Sequence, residues 1–207
     1  MLDRRGSGGR PGRWPAAWCA VLGTAMLAAC SNGPTWVGEP AEPRPAPILE
    51  GTNWDGESFS LDETRGKATV VFFGYTLCPD ICPLALAKMQ QVERELGASA
   101  GELEVVFVSV DPHRDSVERL SHYVPNFGDQ FYGIHVPAEE LGALQERWGL
   151  TVQYGQPKDG PGTDSYYYVD HTGTFFLLDR EGTLRVTHPP NADAQALLPD
   201  IETLIAS

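Results

Sequence analysis

The side chains in this sequence best suited to chemistry are two thiols separated by three residues. Cys78 and Cys82 lie within Phe72-Phe73-Gly74-Tyr75-Thr76-Leu77-Cys78-Pro79-Asp80-Ile81-Cys82-Pro83. Such a pair can close as a disulfide, attack as a redox nucleophile or hold a soft metal ion. Pro79 and Pro83 bias the residues before them away from helical angles. That stiffens the loop and fixes the separation of the sulfurs. With three intervening residues instead of two, the pair can open around an ion, although a disulfide stays sterically possible. Two thiolates leave a soft metal under-coordinated, and an imidazole is the natural third donor. Of the five histidines, His113 falls in a polar loop, His122 on an amphipathic helix, His135 on a short strand and His188 before Pro189-Pro190 near the surface. His171, which ends the run Tyr166-Tyr167-Tyr168-Val169-Asp170, stands apart from these. Three carboxylates have open roles. Asp80 either bonds the helix N-terminus or serves a turn, Asp111 orients the site or caps the next segment, and Asp170 fixes the His171 tautomer or faces water. None of the three is expected to be a ligand.

Those thiols need a strand to deliver them and a helix to receive them. Ala68 to Phe73 is apolar except for Thr69, as in a strand covered on both faces, and it stops at Gly74. Beyond the loop, Leu84, Leu86, Met89, Val92 and Leu96 follow a mostly helical spacing that Gly97 ends. Pro83 suits the first helical position. Cys82 therefore sits where free N–H groups and the positive dipole end favour thiolate. Upstream, Gly51 to Leu61 reads as a hairpin turning at Trp54-Asp55-Gly56-Glu57, with Phe59 and Leu61 inward. Downstream come a strand at 103–110, a helix at 115–124, a strand at 131–136 and a helix at 138–148. Strands at 166–171, 174–178 and 183–187 and a helix at 191–205 complete the chain. This order predicts an α/β, thioredoxin-like fold: a central mixed sheet flanked by helices, with an N-terminal hairpin. In that arrangement the chemistry sits at the first strand–helix junction, and the loop holding His171 lies beside it.

The 207 residues suit one domain with appendages, and a hydrophobic fraction of 42% with 21% charged residues argues for a globular chain. A net charge of −13 leaves no electrostatic footprint for nucleic acid. Arg4, Arg5, Arg10 and Arg13 precede an uncharged apolar run from Trp14 to Ala29, too short for a spanning helix and ending in small residues, as an export signal does. Leu27-Ala28-Ala29-Cys30 resembles a bacterial lipobox, which implies a signal peptide over residues 1–29 and a lipid on Cys30. An uncleaved anchor is the alternative, and both place the domain in the cell envelope, tethered to a membrane and facing its extracytoplasmic side. Residues 30–47, rich in proline, read as a semi-rigid tether, and the domain proper spans 48–207. Once Cys19 and Cys30 are set aside, one close pair remains. A disulfide across so short a loop restricts the unfolded chain little, so a purely structural role is disfavoured.

Three segments together resemble the Sco/SenC family of copper proteins. They are Gly74 to Pro83, Val110-Asp111-Pro112-His113-Arg114-Asp115 and Val169-Asp170-His171-Thr172, in family order, and the likeness runs from about residue 48 to the C-terminus. The resemblance implies copper ligation by Cys78, Cys82 and His171. It also implies a role as a metallochaperone, not an enzyme, serving the binuclear copper site of cytochrome c oxidase, with a copper-accepting oxidase subunit as partner. One ion of soft Cu(I) suits two thiolates and one imidazole, and a three-coordinate site stays open for hand-over. Structural zinc wants a fourth ligand that the sequence does not offer. The chain is expected to act as a monomer. The rival reading is a thiol–disulfide oxidoreductase that keeps the partner's cysteines reduced. Against it stand the missing C-x-x-C spacing and the missing proline opposite the dithiol, near where Gly173 falls. A peroxide-reducing thiol protein would need a pocket that the sequence does not reveal.

Overall fold

A computed structural model of the chain describes residues 33–128, 130–156 and 167–207. Residues 1–29, read from sequence as a signal peptide, Cys30 and Tyr166 lie outside the described residues. Residues Pro34–Ser207 form one compact unit.

That unit is built on a strand buried along its whole length, β4 (Ala68–Gly74). Its β-branched and aromatic residues alternate between two covered faces. Phe72 meets Phe107 and Phe175 on one side, with centroids at 6.4 and 5.0 Å. Phe73 meets Trp148 and Phe176 on the other, at 5.2 and 5.8 Å. β4 pairs in parallel with β5 (Leu103–Ser109), also wholly buried, and β5 pairs in parallel with β6 (Tyr132–His135). Antiparallel to β4 runs β9 (Phe175–Leu178), followed by β10 (Thr183–His188) and β1 (Glu39–Pro45). The hairpin of β2 (Glu50–Asn53) and β3 (Ser58–Ser60) adds to the far side of β6. The sheet is thus mixed, in the order β1-β10-β9-β4-β5-β6-β2-β3, and a separate ribbon joins β7 (Val152–Tyr154) to β8 (Val169–His171). Helices α1 (Ile81–Leu96), α2 (Val117–Tyr123), α3 (Ala138–Trp148) and α4 (Ala194–Ala206) pack around it, with α1 against α4. This is the expected thioredoxin-like arrangement.

Several expectations shift. Part of the proline-rich stretch read as a tether is strand β1, sited at the sheet edge where prolines do not have to donate to a further strand. The backbone N–H groups of Val37 and Gly38 just before it both reach the Asp200 carboxylate of α4, each at 2.8 Å. Asp200 also pairs with His188 at 2.8 Å, and both side chains are buried. His188 is therefore an interior residue, not a surface one. α1 begins at Ile81, so Pro83 stands third in the helix, where a missing N–H still costs no internal bond. Leu84 is 54% exposed and lies off the core face formed by Leu86, Met89, Val92 and Leu96. α2 is capped by Ser116, whose side chain accepts from the Arg119 N–H, and so starts later than Asp115.

Candidate metal centre

The chain turns from β4 into α1 over six residues, and the turn is held from outside. Buried Asp115 accepts from the Thr76 N–H at 2.9 Å, the Thr76 hydroxyl and the Ser109 hydroxyl at 2.7 Å. Burial raises the Asp115 carboxyl above its usual range, and the hydrogen bonds from Thr76 and Ser109 work against that rise. The Cys78 N–H then bonds the Tyr75 carbonyl at 3.2 Å, closing a tight turn. Gly74 is required at the end of the strand. A Cβ there would lie 2.8 Å from the Cys82 sulfur and 2.7 Å from the Phe107 ring.

Cys82 is fully buried in the first turn of α1 and Cys78 is 9% exposed in the loop; both are free thiols. Their electrostatics diverge. Cys78 is pulled down to about 3, first by the hydrogen bond it accepts from the Cys82 thiol, with His171 and the backbone N–H groups of Asp80 and Cys82 adding to it against the opposing push of burial. Cys82 is pushed up, first because it holds that shared proton and then because it is buried beside a thiolate. One sulfur is therefore an anion cradled by helix N-terminal amides, and the other is its proton donor.

His171, at the end of β8, brings its Nε2 to 3.5 Å from the Cys82 sulfur. Its Nδ1 lies 3.1 Å from the Thr172 carbonyl oxygen. When Nε2 serves as a metal donor, the proton is held on Nδ1 and faces that carbonyl, which orients the ring. The ring stands edge-on to Tyr75 at 5.7 Å and to Phe72 at 6.5 Å. The donor atoms of Cys78, Cys82 and His171 all lie within 4.8 Å of one another. Two sulfurs and one nitrogen at that spacing, with the far side of the imidazole already satisfied, fit a soft, low-coordinate cation.

The other candidates separate cleanly. His113 and His122 are exposed, and the Nδ1 of His122 contacts the Glu118 carbonyl. His135 lies on β6, two strands from β4, and is not among the residues whose donor atoms converge with the thiols, and His188 belongs to the Asp200 pair. Asp170 is exposed, and the Thr172 carbonyl, not Asp170, faces His171 Nδ1. Asp80 caps α1 by position without a side-chain bond. Asp111, fully buried, accepts from the Tyr167 hydroxyl at 2.8 Å and is ion-paired with Arg114. Gly173 packs on Pro190 and Ile81, close to the start of α1. Asp115 and Gly74 are the residues that sequence reasoning missed as parts of the site. The signal for Gly74 was its place at the end of an apolar strand; for Asp115 it was membership of the 110–115 segment that carries the family resemblance, which does not say what the side chain holds.

Comparison with known proteins bears on the family and the fold. The bovine mitochondrial SCO2 homolog is 37% identical over 120 residues, which are 57% of this chain and 44% of that protein. This chain thus matches less than half of the length of that relative. The apo Sco1 of Thermus thermophilus superposes with a TM-score of 0.70 at 31% identity, covering 82% of this chain and 97% of the other. Yeast Sco1 solved with copper bound gives 0.68 at 28% identity, covering 79% and 90%. A family model described as SCO1/SenC matches residues 47–206, a span that takes in β4, α1, the ribbon and all three donor residues, and the chain accordingly belongs to the SCO1/SenC family.

Proposed function

We propose that this chain is a copper-binding protein of cytochrome c oxidase assembly, which carries one Cu(I) on Cys78, Cys82 and His171 and passes it to a copper-accepting oxidase subunit. The observation that carries the reading is the convergence of two sulfurs and one imidazole nitrogen within 4.8 Å, from residues up to 93 positions apart in the sequence. The donor set is soft, and three ligands leave room for an incoming donor from the recipient. Cys82 is closed off in the core, whereas Cys78 and His171 retain some exposure, so transfer proceeds from their side. In the same reading residues 1–29 are a signal peptide, Cys30 carries lipid and a short proline-containing leash precedes β1. The domain works as a monomer in the cell envelope.

The test is anaerobic copper loading of the reduced chain. Wild type is expected to bind one equivalent of Cu(I). His171→Ala is expected to bind it more weakly, by more than the roughly 100-fold that loss of a supporting partner costs. Equal affinity in the two proteins would remove His171 from the site. A second reading, thiol–disulfide exchange on the recipient's cysteines, is favoured by the stabilised Cys78 thiolate next to a thiol. It requires a reduction potential for the pair well below that of the compartment, and a potential above it leaves copper carriage as the sole role.

A further inference from the structure

His171 is not mounted on the main sheet. Its strand, β8, pairs with β7 in a ribbon separate from the eight-stranded sheet. The distance from the imidazole to the sulfurs therefore depends on what holds this ribbon to the body.

One polar cluster does so from both sides. Asp111 lies just beyond the end of β5 and is fully buried. One of its oxygens accepts from the Tyr167 hydroxyl at 2.8 Å, and the other accepts from Arg114 Nε. The guanidinium then donates to the Tyr167 carbonyl at 2.9 Å, and its carbon lies over the Tyr167 ring, 3.4 Å from the centroid. Asp111, Arg114 and Tyr167 thus close a triangle, and Tyr167 is two residues ahead of β8. The same guanidinium lies 5.6 Å from the centre of the Tyr75 ring. Tyr75 opens the cysteine loop, stands edge-on to His171 and accepts from the Val169 N–H at 3.4 Å. The Tyr154 hydroxyl also ties the ribbon to the body by donating to the Val110 carbonyl at 2.6 Å, and Thr151 and Thr172 exchange two bonds that hold β7 and β8 to each other.

A buried ion pair contributes little net stability, because desolvation consumes most of its Coulombic gain; its better-attested use is to fix one arrangement among several. Arginine suits that use, since its planar fork bonds and stacks at once and lysine cannot do both. We infer that Arg114, held by Asp111 and stacked on Tyr167, is a positioning residue for the third metal donor: it sets the ribbon so that His171 Nε2 meets the sulfurs of Cys78 and Cys82. The inference rests on the copper reading above.

The experiment is a double-mutant cycle in the full-length reduced chain, with Cu(I) affinity measured by chelator competition. Arg114→Met is expected to weaken binding by on the order of 10- to 100-fold, the usual effect of losing a partner that orients a metal-binding histidine. In a His171→Ala background the same change is expected to have no further effect, because the donor it positions is gone. The 15N resonance of His171 Nε2 gives a second readout: copper shifts it fully in wild type and only partly in Arg114→Met, with Arg114→Lys in between. Tyr167→Phe, which removes one hydrogen bond and leaves the ion pair, should show the same pattern at smaller amplitude, and it serves if Arg114→Met does not fold. Equal losses in both backgrounds would mean that Arg114 merely stabilises the fold, and no loss in wild type would overturn the inference outright. If His171→Ala itself binds as wild type does, the copper reading fails first, and the two failures are told apart.

Discussion

At the scale of single residues, the division of labour between the two thiols has a measurable consequence. With Cys78 near 3, its thiolate is present throughout ordinary pH, and only below about 3 does protonation remove it. Alkylation of the metal-free, reduced chain should therefore occur at Cys78, with a rate that changes less than about twofold between pH 5.5 and 7.5. An ordinary thiol gains about 100-fold over that interval, because its thiolate fraction rises tenfold per pH unit below its pKa. Peptide mapping of the alkylated product checks the site, and a rate that climbs steeply with pH would contradict the assignment. The sequence exposed both sulfurs and their proline-stiffened loop. The helix-start position of Cys82 argued for a thiolate there, but the proton stays on it, because Cys82 is sealed in the core while Cys78 receives the helix amides.

At the scale of elements, the site is a strand–turn–helix joined to a ribbon, and the first half was far more legible than the second. The buried run ending in Gly74 and the helical spacing after Pro83 announced β4 and α1 directly, because burial on two faces and a one-sided apolar stripe leave marks in composition. β7 left no such mark: Val152–Tyr154 is only three residues long and has two exposed positions. The turn depends on Asp115, a residue that in sequence looks like the polar start of the next helix. Removing its carboxylate strands the Thr76 N–H and two hydroxyls. Asp115→Ala should cost about 3 kcal/mol in denaturant unfolding, in keeping with one or more buried polar groups left unpaired. The same change should also weaken copper binding, because Thr76 lies in the loop that carries Cys78. A loss below about 0.5 kcal/mol, the usual effect of a surface change, would show that water replaces the carboxylate at no cost.

At the scale of the whole molecule, the N-terminal stretch is fastened to the C-terminal helix. Asp200 accepts from the Val37 and Gly38 N–H groups and pairs with His188. Gly38 fits only because it lacks a side chain: a Cβ there would lie 2.5 Å from the His188 ring. Asp200→Ala should destabilise the domain by on the order of 3 kcal/mol, since charged hydrogen bonds count for more than neutral ones, and should free β1 to exchange its amide hydrogens. Unchanged protection in β1 would mean that its pairing with β10 suffices. Composition alone read this stretch as a semi-rigid tether, since prolines seldom enter sheets and nothing nearby in sequence shows an edge waiting about 140 residues later. Register now gives it a direction. Glu39 lies opposite Thr187, His188 opposite Phe175 and Phe175 opposite Phe72, so the start of β1 and the finish of β4 share one pole, about 14 Å apart at three strand spacings. Any leash upstream of Trp36 consequently pulls on the pole that carries the sulfurs. A molecule moored this way would turn its cargo toward the bilayer, and a recipient would have to offer its own cysteines low, near the lipid headgroups, to receive it.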